Sequence, residues 1–374
     1  MNKNIINSEI VVFLGAGASD FLEKPMMEAF IDKFLQETTL TTEEQEILKT
    51  FIVVNKKKDL EFILSEIDEI CKRKYFRGKN CNYLKDFLDT AILTTGESEL
   101  SKLLGLSTFK QDTIKTSVSN FGSKYETLCG YCNTLKWKIY RKLFEVYYSV
   151  DDIKTKNLSN PFFNLLKINL KNKKITIPVF TTNYDKAIEK FSELNDTVEL
   201  TDGFDFVKKK KIERWSNETF EKFKPVSKKL NICLFKLHGS IFWYKMDNHI
   251  IYSNVVTNFP TDHHIEPVIL YPNNTKNILS DPFIAGYSYL QKCLDKTKFI
   301  VFVGYSFRDY ITITMLKSAL RFNKGLKVLI IDPQAKTIYK NFLEWYNKQI
   351  TCVDMKFDGK GDYLKPLKDF LNVG

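Results

Sequence analysis

Glycine and proline are scarce in this 374-residue chain, at 15 and 10 residues. That excludes collagen-like and Pro/Gly-rich low-complexity chains, and most of the backbone should be regular structure. Histidine is rarer still, at four residues, so any catalytic imidazole comes from a short list. The seven cysteines are Cys71, Cys81, Cys129, Cys132, Cys233, Cys293 and Cys352. They are odd in number and few for the chain length, which argues against a disulfide framework. Only Cys129 and Cys132 have metal-type spacing, and no second such pair completes a set of four ligands. The pair is expected as reduced thiols on a helix, with no zinc. No apolar run approaches the about 20 residues of a membrane span. The polar opening Met-Asn-Lys-Asn-Ile-Ile-Asn lacks the pattern of a secretory signal. The expectation is a soluble, cytoplasmic protein.

Apolar material is plentiful. Hydrophobic residues make up 44% and aromatics 14%, with 30 phenylalanines, which excludes disorder and supplies a sizeable core. The net charge of +11 is spread along the chain, with short runs at Lys56 to Lys58 and Lys208 to Lys211. Charge so distributed steers anions at long range better than it builds a surface that reads DNA. The Lys208 to Lys211 run is read as an exposed loop, and nucleic-acid contact is not predicted.

Ile10 to Leu14 is a continuous β-branched and aromatic run ending at Gly15, the pattern of a strand buried on both faces. A Gly-Ala-Gly-Ala-Ser turn follows, then a helix from Met26 to about Leu35. Together these open a nucleotide-binding βα unit. From about 40 to 165 the period becomes helical, as in Leu60, Ile63, Ile67 and Ile70, and four to six helices are expected. Gly96 to Gly122 is Ser-, Thr- and Gly-rich and reads as a loop. Strands return at Ile175 to Thr181, Ile232 to Leu237, Phe299 to Val303 and Leu326 to Ile331, with Thr351 to Phe357 as an edge strand. Helices are expected at Asn183 to Leu194, Asp309 to Phe322, Ile338 to Lys348 and Tyr363 to Leu371. Residues 241 to 275 hold short β-prone pieces and the His263–His264 pair.

Polar or glycine-bearing motifs end at least four of these strands, and in an open parallel sheet ligands bind at that edge. Gly15 and Gly17 allow close approach to a pyrophosphate, or simply a tight turn, and the third glycine of the dinucleotide fingerprint is replaced by Asp20. In Thr181-Thr182-Asn183-Tyr184-Asp185, the amide suits a ribose hydroxyl or water and the carboxylate a carboxamide. Either side chain alone would also serve as a helix cap. His238, before Gly239, is either a structural imidazole or a general base. Gly304 permits close backbone approach, Ser306 can bind phosphate or ribose, and Asp309 has the position of an N-cap.

Taken in order, the Gly-Ala-Gly-x-Ser turn, the Thr-x-Asn-x-Asp strand end, the His-Gly pair and the Gly-Tyr-Ser resemble the sirtuin, or silent information regulator, family. The resemblance covers roughly residues 8–35 and 173–335. It implies an α/β, Rossmann-like parallel sheet. On that basis the chain is expected as one sirtuin-like domain, with residues 1–38 and 170–374 as the NAD-binding core and 39–169 as a large helical insertion. It also implies roles. Gly15, Ala16 and Gly17 would line the NAD pyrophosphate, with Ser19 and Thr182 in the same binding set. Asn183 would hold the nicotinamide ribose and position an attacking group. Asp185 would accept from the carboxamide, and His238 would be the general base. Gly304 and Ser306 would meet phosphate and adenosine ribose, and Asp332 the adenosine ribose.

The chain departs from the deacetylase pattern. Two Cys pairs after His-Gly are missing, and Phe21-Leu22-Glu23-Lys24-Pro25-Met26 replaces the family's Gly-Ile-Pro-Asp-Phe-Arg. Both features serve the acyl-lysine site. The resemblance therefore points to bacterial anti-phage NADases without the zinc module, with NAD as substrate cleaved to nicotinamide and ADP-ribose. A protein deacylase or ADP-ribosyltransferase, and a non-catalytic NAD sensor, stand as alternatives. Control is expected through homo-oligomerisation or a partner such as a HerA-like translocase ATPase, with the helical insertion as contact surface.

Overall fold

In the computed structural model, residues 1–22, 27–36, 39–55, 60–72, 118–169, 176–207, 212–246, 249–253, 266–270, 278–358 and 361–372 are described. Most of Gly96 to Gly122, the His263–His264 pair and the runs at Lys56 and Lys208 fall outside them. The chain forms two compact units: 1–24, 144–270 and 275–374 make the first, and 25–143 with 271–274 the second.

Helix α1 (Lys3–Ile6) leads into β1 (Ile10–Leu14), whose five residues are all buried. A 3₁₀ turn, Ala16–Leu22, follows. The second unit then contributes α2 (Met27–Phe34), α3 (Thr42–Asn55), α4 (Leu60–Lys72) and most of α5 (Val118–Tyr148). Helix α3 starts with a capping box: the Glu44 N–H donates to Thr41 Oγ1, and the Thr41 N–H donates back to Glu44 Oε2. Ile63, Ile67 and Ile70 of α4 and Leu135 and Ile139 of α5 are buried at helical spacing. Cys129 and Cys132 lie buried on α5, and Cys129 Sγ donates to the Ile70 carbonyl.

The first unit resumes with α6 (Asp152–Asn169), β2 (Thr176–Thr181) and α7 (Ala187–Glu193). Next come β3 (Val198–Thr201), β4 (Phe204–Val207), β5 (Ile212–Trp215), α8 (Asn217–Lys222) and β6 (Leu230–Lys236). Strands β7 (Gly239–Met246), β8 (His249–Tyr252) and β9 (Glu266–Ile269) precede α9 (Phe283–Leu294). The chain closes with β10 (Phe299–Val303), α10 (Tyr310–Phe322), β11 (Lys327–Ile331), α11 (Ala335–Phe342), β12 (Ile350–Val353) and α12 (Leu364–Asn372).

Seven strands pair in the order β12-β11-β10-β1-β2-β6-β3, and every pairing is parallel. Alternate side chains feed two cores. Val11, Phe13, Phe235 and Phe302 face α9, α10 and α11, while Val12, Val179, Leu234 and Val301 face α6, α7 and α12. Helices on both faces explain why the strands read as unbroken apolar runs. The chain adopts the expected α/β fold with a Rossmann-like parallel sheet.

Three expectations differ. The helix after β2 begins at Ala187 rather than Asn183, because residues 183–186 are held in a loop by side-chain bonds described below. The helix expected over Ile338 to Lys348 is α11 followed by a 3₁₀ segment, Glu344–Gln349. The short β-prone pieces expected from 241 to 275 join two unexpected strands, β4 and β5, in a second sheet, antiparallel and ordered β4-β5-β8-β7-β9. Its strands are mostly four residues long, below the length at which a period of two stands out.

Candidate active site

Strand order reverses between β1 and β10, the switch point at which doubly wound sheets bind ligands. The turns after these two strands touch backbone to backbone. Gly15 N–H donates to Val303 O and Gly17 N–H to Gly304 O, both at 2.9 Å. Gly304 has φ +58°, and a Cβ there would meet Ala18 N at 2.3 Å. A Cβ on Gly15 would meet Gly304 O at 2.5 Å. The glycines of both motifs thus let two turns interlock, and the Gly15 and Gly17 N–H groups are already engaged. Ala16 is exposed beside them.

After β2 the chain enters a loop in which each residue is held. Asn183 Nδ2 donates to Gly15 O at 2.8 Å and Ser19 Oγ at 2.9 Å. Ser19 Oγ donates to Asp185 Oδ2 at 2.7 Å. Asp185 Oδ1 accepts from Ala187 N, so this carboxylate also caps α7. Tyr184 OH donates to Leu270 O, and its carbonyl accepts from Ser240 Oγ. The Lys186 ammonium lies over the rings of Tyr148 and Phe242, 4.9 and 5.2 Å from their centroids. Burial and the nearby Asp185 charge push the Tyr147 hydroxyl up to about 12. Thr182 is half-buried, with its N–H on Leu14 O.

His238 is 6% exposed, just beyond the end of β6, with Nε2 3.6 Å from Asp309 Oδ2. Asp309 caps α10 through Ile311 N and also accepts from Thr312 Oγ1 and Tyr287 OH. Burial raises the Asp309 carboxyl, but the His238 imidazole, the Thr312 hydroxyl and the Ile311 N–H outweigh it and hold it below the ordinary carboxylate value. Sequence reasoning treated Asp309 as a cap; the structure adds its pairing with His238.

Asn183, Ser19 and Asp185 therefore meet in one hydrogen-bonded run on Gly15, whereas His238 pairs with Asp309. Ser306 is exposed between buried Tyr305 and Phe307, and Phe307 carries φ +54°, strained for a non-glycine residue. Asp332 is half-buried at the end of β11, where its Oδ1 accepts from Gln334 N at 2.7 Å; burial and Asp354 raise it, with Gln334 opposing.

Sequence reasoning missed the layer beneath. A cavity of about 20 Å³ is lined by Ser19, Asn183 and Asp185 and, from α7 and β6, by Glu189 and Lys236. Lys236 Nζ lies 2.9 Å from Glu189 Oε1 and donates to the Asp185 carbonyl. Burial pushes the Glu189 carboxyl up against the pull of Lys236. Burial and Glu189 push neighbouring Asp202 up to about 7. A lysine ending an apolar strand could have drawn attention, since position alternation aims Lys236 inward with Leu234.

Among the described residues no group of three or more His, Cys, Asp or Glu is arranged to hold a metal ion, and no helix is long and apolar enough to cross a membrane. No functionally curated protein matches the chain in sequence. The solved structures that match it include three Sir2 homologue complexes. A Sir2 homologue–ADP-ribose complex shares 11% identity, covering 99% of this chain and 95% of that one, with a TM-score of 0.43. A Sir2 homologue–NAD complex shares 11%, covering 99% and 92%, with a TM-score of 0.44. A mutant Sir2 homologue with 2′-O-acetyl ADP-ribose shares 12%, covering 100% and 97%, with a TM-score of 0.43. Residues 178–352, just under half of the chain, match the family model described as SIR2-like domain, so the likeness to sirtuins lies in the stretch from β2 to β12.

Proposed function

We propose that the chain is an NAD hydrolase that cleaves the nicotinamide N-glycosidic bond, giving nicotinamide and ADP-ribose. The observation that carries this reading is the hydrogen-bonded run of Asn183, Ser19 and Asp185 on Gly15, at the ligand edge of a parallel sheet. The SIR2-like match over residues 178–352 supports it, as does the pairing of His238 with a carboxylate.

In this reading the ribose C1′–N bond breaks and nicotinamide leaves with the bonding electrons, which neutralise its ring nitrogen. Water attacks C1′, and its proton passes to His238, whose imidazolium Asp309 stabilises. Asn183 orients the water or a ribose hydroxyl, and Asp185 accepts from the leaving carboxamide. Since the Gly15 and Gly17 N–H groups are engaged, the pyrophosphate would rest on the exposed Ala16 and Ser306 side of the crevice, with Gly304 at its floor and Asp332 toward the adenosine ribose. Thr182 fixes the start of the loop. The physiological role we assign is NAD depletion in anti-phage defence, restrained until an oligomer or a HerA-like partner assembles.

The test is to incubate purified protein with NAD, with and without an acetyl-lysine peptide. Nicotinamide release without peptide is the expected result. Release only with peptide would make the chain a deacylase, and binding without release, even in the assembled oligomer, would make it a sensor.

A further inference from the structure

We propose that Lys236 is a positioning residue for this site: its ammonium holds the Asp185 carbonyl and so fixes the loop that presents Asn183 and Asp185, with Glu189 balancing its charge. The functional half of this inference rests on the proposed NAD site; the structural half does not.

A charge in such a place needs a reason. The Lys236 side chain is 2% exposed and that of Glu189 8%. Removing both from water is costly, and well-packed apolar residues often serve stability as well. Glu189 is incompletely satisfied: its Oε1 faces the ammonium, and its Oε2 meets no hydrogen-bonding group of another described residue. An ion pair kept only for stability would be expected to saturate both ends. What the pair does supply is a donor aimed at a main-chain carbonyl of the site loop.

Many of the loop's other ties run through side chains that the reaction would use; its main chain is also held by Leu14 O on the Thr182 N–H, Thr181 Oγ1 on the Asn183 N–H and Ser240 Oγ on the Tyr184 carbonyl. Asn183 and Asp185 bond to Gly15, Ser19 and Ala187, and Tyr184 is held from the β7 and Leu270 side. Lys236 holds the backbone from below, at the Asp185 carbonyl, and leaves the Asp185 carboxylate to bond Ser19 and Ala187. Its position is set by β6, whose pairing with β2 puts Lys236 beside Thr181, the last residue before the loop. At Asp185 the rigid sheet thus transmits its geometry to the loop through the Lys236 ammonium. Neutralising Lys236 alone strands the Glu189 carboxylate, so the pair must be removed together to separate positioning from charge balance.

The experiment compares the full-length protein with Lys236→Met, Glu189→Gln and the double variant Lys236→Met/Glu189→Gln. Thermal unfolding, backbone hydrogen exchange over residues 181–188 and the kinetics of nicotinamide release are measured on each. Lys236→Met alone should melt earliest. The double variant should melt near the wild type, yet amides of the loop should exchange at least about tenfold faster, with β2 and β6 unchanged. Its kcat should fall by about a hundredfold with little change in KM, as expected when bound reactants are misaligned. Unchanged exchange in the folded double variant, or wild-type kcat in it, would overturn the proposal. If the wild type releases no nicotinamide, the NAD-cleavage reading fails, and the exchange result alone still decides whether Lys236 positions the loop.

Discussion

In the proposed reaction, single side chains divide into those that would do chemistry and those that hold them. Asn183 would do both, because its amide bonds also tie the β2 loop to the first turn. Asn183→Ala should cut nicotinamide release by about a hundredfold or more and lower stability by about 1–2 kcal/mol, measured by initial rates and by denaturant unfolding. A variant with undiminished release would remove Asn183 from the site. Asp202 makes the opposite point about charge. Its carboxyl is pushed up to about 7 by burial and by Glu189, so the folded state binds a proton more tightly than the unfolded chain. Stability contributed by that proton is full below the ordinary carboxylate range of about 4 and is lost as pH rises towards 7. Asp202→Asn keeps the oxygen that accepts from Phe204 N. It should raise the melting temperature at pH 8 by a few degrees and leave it nearly unchanged at pH 4.

The decisive contact between elements is the pair of interlocked turns after β1 and β10. Gly304 sits there at φ +58° with Gly17 and Ala18 pressed against it. Gly304→Ala must both strain the backbone and part the turns. A cost of about 2 kcal/mol or more follows, with loss of nicotinamide release, and a melt and an assay on the same preparation would show both. Elements also explain what could be read in advance. Ile10 to Leu14 and Phe299 to Val303 are legible to the residue, because strands buried on two faces need unbroken apolar runs. The start of α7 was misplaced because residues 183–186, which run into the helix in sequence, spend their side chains on Gly15, Ser19, Leu270 and two aromatic rings. Long-range bonds of that kind override local propensity. The short strands β3, β4 and β5 went unseen for want of length.

For the whole first unit, the proposed NAD site and the fold share the same turns. A ligand that binds only the folded state stabilises it by about 2.7 kcal/mol at a hundredfold excess over its dissociation constant. NAD added to a slow-cleaving variant such as Asn183→Ala should therefore raise its melting temperature in a concentration-dependent way, to the extent that the variant still binds. No shift at millimolar NAD in either wild type or variant would argue against an NAD site at these turns.

By itself the sequence determined the parallel sheet, the order of its motif-bearing strand ends and the candidates Gly15, Asn183, Asp185, His238 and Gly304, since apolar runs and the polar residues that end them are local signals. Tertiary structure alone decided which candidates meet. It joined Asn183 to Asp185 through Ser19, gave His238 to Asp309, and sank Lys236 and Glu189 beneath the loop. These pairings span tens to more than a hundred and sixty residues of chain, and no local pattern encodes a distance that only strand register and helix packing set.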